Sequence, residues 1–205
     1  SIDDVTTSNE NAANSTFTVT MSTTSSSVVT VDYATSNGTA TASSDYTAAS
    51  DTLTFAVGER TKTFTVGVLA DTLNEDNETA TITLSNAVNA TISDSAGTGT
   101  LTITNDDATP SLSINDVSTS DESNASTNMT VTLSAASGKD VTVAYATSNN
   151  TATAGVDYTA TSDTLTISAG DTTGAIGVTV LTDSSYETNE TVTMTLSSAS
   201  NATIS

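Results

Sequence analysis

The sequence is one pattern written twice, at a constant offset of 112 residues and without insertion or deletion. Residues 1–93 align with residues 113–205, and 54 of these 93 pairs are identical. The repeats of solenoid proteins are only about 20–50 residues long, whereas a period above 100 residues is typical of a whole small domain. We therefore expect two related domains in tandem.

The composition excludes several kinds of site, because the 205 residues include no Cys and no His. The usual ligands of zinc, haem and iron–sulfur clusters are therefore missing, as are Cys–His pairs and Ser–His–Asp triads. Paired carboxylates serve glycosidases, but here they recur in tandem without surrounding aromatic residues. We therefore expect no catalytic activity. Without disulfides, each repeat must be held by its own core and by any ions that it binds.

The chain is strongly anionic, with 24 acidic residues, three basic residues and a net charge of −21. Nucleic acids and anionic membranes attract proteins through Lys and Arg, so neither is an expected partner. Such a charge suits a chain that carries cations or stays soluble in salt. No run approaches the ~20 apolar residues of a membrane span, so direct membrane insertion is not expected. We expect no signal peptide within this stretch and expect targeting information to lie outside it.

Apolar residues alternate with Thr and Ser along most of the chain. The clearest first-repeat segments are Phe17, Val19, Met21; Val29, Val31, Tyr33; and Phe64, Val66, Val68. This alternation indicates strands with one face on a core and the other in water. The segments recur about every 8–15 residues between Asn, Asp, Gly and Ser turns. The pattern predicts an all-β fold, with one antiparallel sandwich of about seven strands in each repeat.

The boundaries follow from the alignment of the two repeats. We expect a first sandwich over 1–107, a short linker over 108–112 and a second sandwich over 113–205. The second repeat has no counterpart of residues 97–107, so its sandwich is predicted to lack the last strand. We expect the chain to continue past Ser205. The alternatives are a chain cut at this point and a strand donated by a neighbouring subunit.

Tyrosines also recur at the same places, as Tyr33 and Tyr46 in one repeat and Tyr145 and Tyr158 in the other. A surface that stacks against carbohydrate is one interpretation. Tyrosines in the core or at a corner of a sandwich are favoured, because each position is kept in both repeats.

Acidic residues concentrate in the segments between strands, most densely in residues 71–78 and 183–190. Positions 71, 75 and 78 are acidic in both copies, as a shared site would require. Carboxylates without nitrogen or sulfur ligands favour Ca²⁺, which takes 6–8 oxygens in flexible geometry, over Mg²⁺, which keeps more of its water. The alternative is a solvated anionic surface, as in salt-adapted proteins.

The sequence resembles the Calx-beta family, the Ca²⁺-binding immunoglobulin-like sandwiches of sodium–calcium exchangers and of long microbial surface proteins. The resemblance is carried by Tyr33-Ala34-Thr35, Gly38-Thr39-Ala40, Asp45-Tyr46-Thr47, Leu53-Thr54-Phe55, Gly58-Glu59, and Asp71 with Glu75 and Asn77-Glu78-Thr79. It implies two tandem immunoglobulin-like antiparallel β-sandwiches, each with a Ca²⁺ cluster in loops at one end. In the first repeat, the implied ligands are Glu10, Asp45, Asp71, Glu75, Glu78, Asp106 and Asp107. In the second repeat, they are Glu122, Asp157, Asp183, Glu187 and Glu190.

One departure bears on the number of ions. Asn105 stands where exchanger domains have a third consecutive Asp, so fewer ions or weaker affinity is expected.

These observations suggest a Ca²⁺-binding structural repeat of a large extracellular or cell-surface protein, such as an adhesin stalk or fibre. Ca²⁺ would stiffen the joints between domains, and the expected partners are neighbouring repeats and identical subunits. One alternative is a subunit of a non-covalent surface filament that is completed by strand donation. Another is a Ca²⁺-sensor module of a transporter.

Overall fold

The computed structural model describes residues 1–119, 121–122, 126–184 and 186–205. Within these ranges the chain forms strands and no helix, so the all-β prediction is confirmed. Accordingly, no helix that could cross a membrane occurs among the described residues. Contacts divide the chain into two compact units. The first comprises Ser1–Asp71 and Asp76–Asp106, and the second comprises Thr72–Glu75 and Asp107–Ser205.

The first unit is built from two sheets. Its strands are β1 (Val5–Thr6), β2 (Asn14–Thr20), β3 (Val29–Asn37), β4 (Ser50–Phe55), β5 (Thr61–Gly67), β6 (Glu78–Val88) and β7 (Thr98–Ile103). Five strands form one sheet in the order β1-β7-β6-β3-β4, and β2 pairs with β5 in the other. The pairs are antiparallel except for β1, which runs parallel to β7. Both sheets contribute to one hydrophobic core.

Strand alternation explains how this core forms. Phe17 and Phe64 face each other across β2 and β5 and are buried, with ring centroids 5.5 Å apart. Tyr33, from the other sheet, stacks on Phe64 at 3.8 Å and so links the two layers. The next residues along the pair, Thr16 and Thr65, lie opposite each other and are exposed. The Thr-rich positions are therefore the solvent face, as the period-two pattern predicts.

The second unit repeats this plan with a different set of sheet neighbours. Its strands are β8 (Ser111–Ile114), β9 (Thr127–Leu133), β10 (Val141–Asn149), β11 (Ser162–Ile167), β12 (Thr173–Val178), β13 (Val192–Ser200) and β14 (Thr203–Ile204). One sheet has the order β11-β10-β13, and the other has the order β12-β9-β8-β14. The two-residue β14 runs parallel to β8, and the other pairs are antiparallel.

The described part of the second unit has no counterpart of β7, as predicted. In the first unit β6 lies between β3 and β7, whereas its counterpart β13 pairs only with β10 in the described part of the chain. Ala80 and Ile82 of β6 are fully buried, while their counterparts Val192 and Met194 are only half-buried. This difference in burial reflects the absence of a β7 counterpart among the described residues.

The recurring tyrosines are structural, which confirms the favoured interpretation. Tyr46 and Tyr158 are 1% and 3% exposed, and their hydroxyls donate to the side-chain oxygens of Asn37 and Asn149 at 2.7 and 2.8 Å. Tyr33 and Tyr145 pack half-buried against the cores of their own units. None of these rings forms an exposed stacking surface.

Candidate metal centre

A short turn positions one carboxylate in the same way in both units. In the second unit, one oxygen of Asp157 accepts a hydrogen bond from the Thr153 amide at 2.7 Å. The side-chain oxygen of Asn149 accepts from the Ala154 amide and from the Tyr158 hydroxyl, which anchors the turn to the core. One carboxylate oxygen of Asp157 thus holds the turn.

The first unit has the matching contacts. The Thr41 amide donates to Asp45 at 2.6 Å, and the Asn37 side chain accepts from the Ala42 amide and from Tyr46. The role of this asparagine was not predicted from the sequence. Its signal is the recurrence of Asn37 as Asn149, directly after the shared segment Tyr-Ala-Thr-Ser.

Three carboxylates of the second unit converge beside this turn. Asp157, Glu187 and Glu190 each offer an oxygen, and these oxygens all lie within 4.8 Å of one another. Asp157 is half-buried, while both glutamates are exposed and reach the group from the segment before β13. Such a set of hard oxygen donors, open to solvent on one side, is suited to a divalent cation that keeps part of its water.

The electrostatics of this group favour a bound cation. Partial desolvation raises the pKa of the Glu187 carboxyl, and the negative charges of Asp183, Asp157 and Glu122 raise it further. The pKa of the Glu190 carboxyl is also raised, chiefly by partial desolvation. The charge of Asp157, a hydrogen bond with Asp157 and the charges of Glu187 and Glu122 raise this pKa further. The ionised carboxylates therefore repel one another, and a divalent cation between them would relieve that repulsion.

Two pairs of predicted ligands meet inside the first unit. Asp45 and Asp71 bring carboxylate oxygens within 4.8 Å of each other, and so do Glu10 and Asp106. Asp106 accepts from the Glu10 amide at 3.3 Å and from the side-chain amide of Asn11 at 2.8 Å. Glu10 is only 6% exposed. Glu10 follows β1 in the sequence and Asp106 follows β7. Because these two strands lie side by side, the two residues meet although they are almost 100 positions apart.

Glu75 and Asp107 are grouped with the second unit. Asn74, the neighbour of Glu75, donates from its side-chain amide to the Asp107 carbonyl at 2.9 Å. The carbonyl of Asn74 accepts from the Ser137 hydroxyl at 3.2 Å, and Asn74 and Ser137 form an isolated parallel bridge. The segment Thr72–Glu75 is therefore held by direct hydrogen bonds within that unit. The sequence did not predict this grouping.

The remaining predicted ligands, Glu78, Glu122 and Asp183, belong to none of the groups of three found among the described residues. Glu78 is the first residue of β6 and lies opposite Ile103 of β7. Glu122 and Asp183 are exposed, and their charges act on Glu187. Both belong to the electrostatic surroundings of the Asp157 group.

Two solved structures are similar to this chain over most of its length. The crystal structure of CBD12 from CALX1.2 is 23% identical over 96% of this chain and 77% of that chain, with a TM-score of 0.49. The calcium binding domain CBD12 of CALX1.1 is 24% identical over 85% of this chain and 71% of that chain, also with a TM-score of 0.49. No protein with a curated description matches the chain at a significant level.

The family model for the Calx-beta domain matches residues 3–107 and again residues 104–204, so nearly the whole chain is covered. This double match agrees with the internal repeat and with the two units of the structure. The chain belongs to the Calx-beta domain family and contains two such domains in tandem.

Proposed function

We propose that this chain is a Ca²⁺-binding structural repeat of a large extracellular or cell-surface protein, such as an adhesin stalk or fibre. The observation that carries the proposal is the convergence of Asp157, Glu187 and Glu190, three acids that recur in the first repeat as Asp45, Glu75 and Glu78. Acidic residues that serve solubility alone are not expected to occupy equivalent positions in both repeats and to bring their carboxylates together.

The chemistry of the group selects the ion. All three side chains are carboxylates, so nitrogen- and sulfur-seeking metals have no preferred ligand here. Ca²⁺ tolerates irregular geometry and six to eight oxygens, and exposed loops with bidentate carboxylates and water supply such a shell. Mg²⁺ requires near-ideal octahedral geometry and gives up water reluctantly, so flexible glutamates favour it less.

We assign the ligands by repeat. In the first repeat the proposed set is Glu10, Asp45, Asp71, Glu75, Glu78, Asp106 and Asp107. In the second repeat it is Glu122, Asp157, Asp183, Glu187 and Glu190. The pairs Glu10–Asp106 and Asp45–Asp71 support the first set, because each already brings two carboxylates within 4.8 Å.

We further propose that bound Ca²⁺ stiffens the joint between the repeats. The linker predicted over 108–112 is short, its last two residues lie in β8, and Asp106 and Asp107 directly precede it. Residues Thr72–Glu75, which belong to the first repeat by sequence, are grouped with the second unit. An ion held by Asp106 and Asp107 would restrict the start of the linker, and its removal would restore carboxylate repulsion there.

The joint is tested by measuring distances between spin labels. Because the chain has no Cys, Thr54→Cys and Thr166→Cys place one label at equivalent exposed positions of β4 and β11. Double electron–electron resonance is expected to give a narrow distance distribution with Ca²⁺ and a broader one with chelator. Mg²⁺ at equal concentration is the control. Distributions that coincide with and without Ca²⁺ contradict the stiffening mechanism even where binding is real.

One alternative has a specific observation in its favour. A subunit of a non-covalent filament needs an edge that accepts a strand, and in the described part of the chain β13 pairs with β10 alone. The transporter-sensor alternative requires affinity in the range of cytosolic sensors, with dissociation constants of about 10⁻⁷–10⁻⁵ M. Extracellular modules bind at about 10⁻⁴–10⁻³ M, so the affinity separates the sensor from the structural repeat.

A further inference from the structure

A buried polar contact joins the segment Thr72–Glu75 to the turn between β9 and β10, and both belong to the second unit. The carbonyl oxygen of Asn74 accepts the Gly138 amide at 3.2 Å and the Ser137 hydroxyl at 3.2 Å. The Ser137 hydroxyl oxygen in turn accepts the Lys139 amide at 3.0 Å. Asn74 and Ser137 are only 7% and 1% exposed, so these polar groups are buried with their partners in place. We call residues 137–139 the receiving turn.

The receiving turn also depends on the absence of a side chain at Gly138. A Cβ atom at this position would overlap the Glu75 side chain at its Cγ and its carboxylate. The φ angle of Gly138 lies outside the left-handed region, so the turn can take other residues here without backbone strain. The Lys139 ammonium group donates to the Glu75 carbonyl at 3.5 Å. The glycine is therefore required by the segment that lies against the turn and not by the turn itself.

The first unit has the same turn without such a segment grouped with it. There the Ser27 amide donates to the Ser25 hydroxyl oxygen at 3.1 Å, as the Lys139 amide does in the second unit. The Gly58 amide donates to the Ser25 carbonyl at 3.0 Å, and the equivalent bond from the Gly170 amide is 2.8 Å long. The two turns thus share their internal hydrogen bonds, and what differs is the side chain between the first and third positions.

The two repeats are complementary at this contact. Ser26 stands at the position of Gly138, so the first repeat has a Cβ where the receiving turn has none. Tyr186 stands at the position of Asn74, and a phenol ring has no amide to donate to the Asp107 carbonyl, as Asn74 does at 2.9 Å. The fitting segment therefore occurs in one repeat and the turn that receives it in the other.

We propose that the receiving turn is a recognition site for an Asn-Glu segment of the preceding repeat, and that Gly138 determines its specificity. The Asn carbonyl accepts two hydrogen bonds, and the Glu side chain lies against the glycine. A turn with Ser at this position rejects the segment, because its Cβ displaces the Glu side chain. The site therefore sets which repeats can be neighbours in an array. It goes beyond Ca²⁺ binding, since uncharged donors hold the Asn carbonyl and no ion is required.

Amide hydrogen exchange, measured by NMR on the whole chain in chelator, tests the site. Slow exchange is expected at the Gly138 amide, because it donates to the carbonyl of buried Asn74. Gly138→Ser should speed exchange at this position by at least about tenfold, the equivalent of one lost hydrogen bond. Ala135→Ser is the matched control, because it places Ser at an exposed position between the same two strands, and it should leave the exchange unchanged. Exchange in Gly138→Ser as slow as in the unsubstituted chain overturns the proposal.

Asn74→Tyr tests the same contact from its other side and leaves the receiving turn unchanged. The larger ring cannot occupy the buried place of the Asn side chain, so the segment should be released. Exchange at the Gly138 amide is again expected to be at least about tenfold faster. Thr72→Tyr is the control, since Thr72 is an exposed residue of the same segment. Equal exchange in Asn74→Tyr and Thr72→Tyr contradicts recognition of the Asn.

The Gly170 amide separates release of the segment from unfolding of the turn. It donates to the Ser137 carbonyl, a bond that the first unit makes without the segment. Its exchange should therefore stay slow in both Gly138→Ser and Asn74→Tyr. Fast exchange at Gly170 in Asn74→Tyr would mean that the turn depends on the segment for its own fold, which contradicts a preformed recognition site.

Ca²⁺ separates this inference from the proposed function. Protection of the Gly138 amide is expected in chelator, before any ion is added. Protection that develops only with Ca²⁺ makes the contact a consequence of ion binding and overturns the recognition site. Protection in chelator, in a chain that then binds no Ca²⁺, supports the recognition site and contradicts the Ca²⁺ function.

Discussion

Adding 1 mM Ca²⁺ to the chelator-treated chain is expected to raise its melting temperature by several degrees or more. At a dissociation constant of about 0.1 mM, each site contributes about 1.4 kcal/mol of stability at this concentration. For a domain of 60–100 residues, that free energy corresponds to a shift of about 6–11 °C. The physical cause is the relief of repulsion among carboxylates such as Asp157, Glu187 and Glu190.

The melt is followed by circular dichroism or calorimetry in about 0.15 M KCl, so that exposed charges farther apart than about 8 Å are already largely screened. Mg²⁺ at the same concentration is the control. A shift with Ca²⁺ that exceeds the shift with Mg²⁺ indicates a site that selects its ion. Coincident melts with Ca²⁺ and with chelator contradict Ca²⁺ binding, and equal shifts with the two ions reduce the effect to charge screening.

Glu187→Gln is expected to have opposite effects with and without Ca²⁺. The substitution removes a proposed ligand, and the Ca²⁺ affinity of the second unit should fall by at least about tenfold, since even outer-shell partners of metal sites are worth that much. In chelator, the same substitution should raise the melting temperature. The pKa of Glu187 is raised because its carboxyl is partly desolvated and lies near the charges of Asp183 and Asp157. The neutral Gln side chain is not repelled by those charges.

Backbone amide signals of the second unit measure its affinity within the whole chain. Thr153 and Gly155 lie in the turn that holds Asp157, so their NMR shifts report Ca²⁺ at this group. Asp171→Asn is the matched control, because Asp171 is an exposed carboxylate in the turn between β11 and β12, outside the group. Unchanged affinity in Glu187→Gln, or an equal loss in Asp171→Asn, contradicts the assigned ligand.

Much of the fold was predictable because strand alternation is local. Phe17, Val19 and Val66 occupy the apolar face of the period-two pattern, and all three are buried. The short strands β1 and β14 were not predictable in this way. Each has two residues and pairs in parallel with a distant strand, so its existence depends on the assembled sheet and not on its own sequence.

The candidate site was predictable where the two repeats agree. The positions of Asp157, Glu187 and Glu190 are acidic in both copies, and the structure brings these three side chains together. The grouping of Thr72–Glu75 with the second unit has no such signal. It depends on Asn74 meeting Ser137, and Tyr186, the counterpart of Asn74, cannot repeat the amide contacts. A contact that occurs in only one copy leaves no pattern in the alignment.

Calorimetric titration of the whole chain with Ca²⁺ tests the central claim most directly, because it measures binding without relying on stability or shape. With chelator-treated protein in about 0.15 M KCl, we expect saturable binding with a dissociation constant on the order of 0.1 mM. We also expect it to weaken when Asp157, Glu187 and Glu190 are replaced by Asn, Gln and Gln. Heat that shows no saturation, or that is unchanged by these substitutions, contradicts a Ca²⁺ site at these carboxylates.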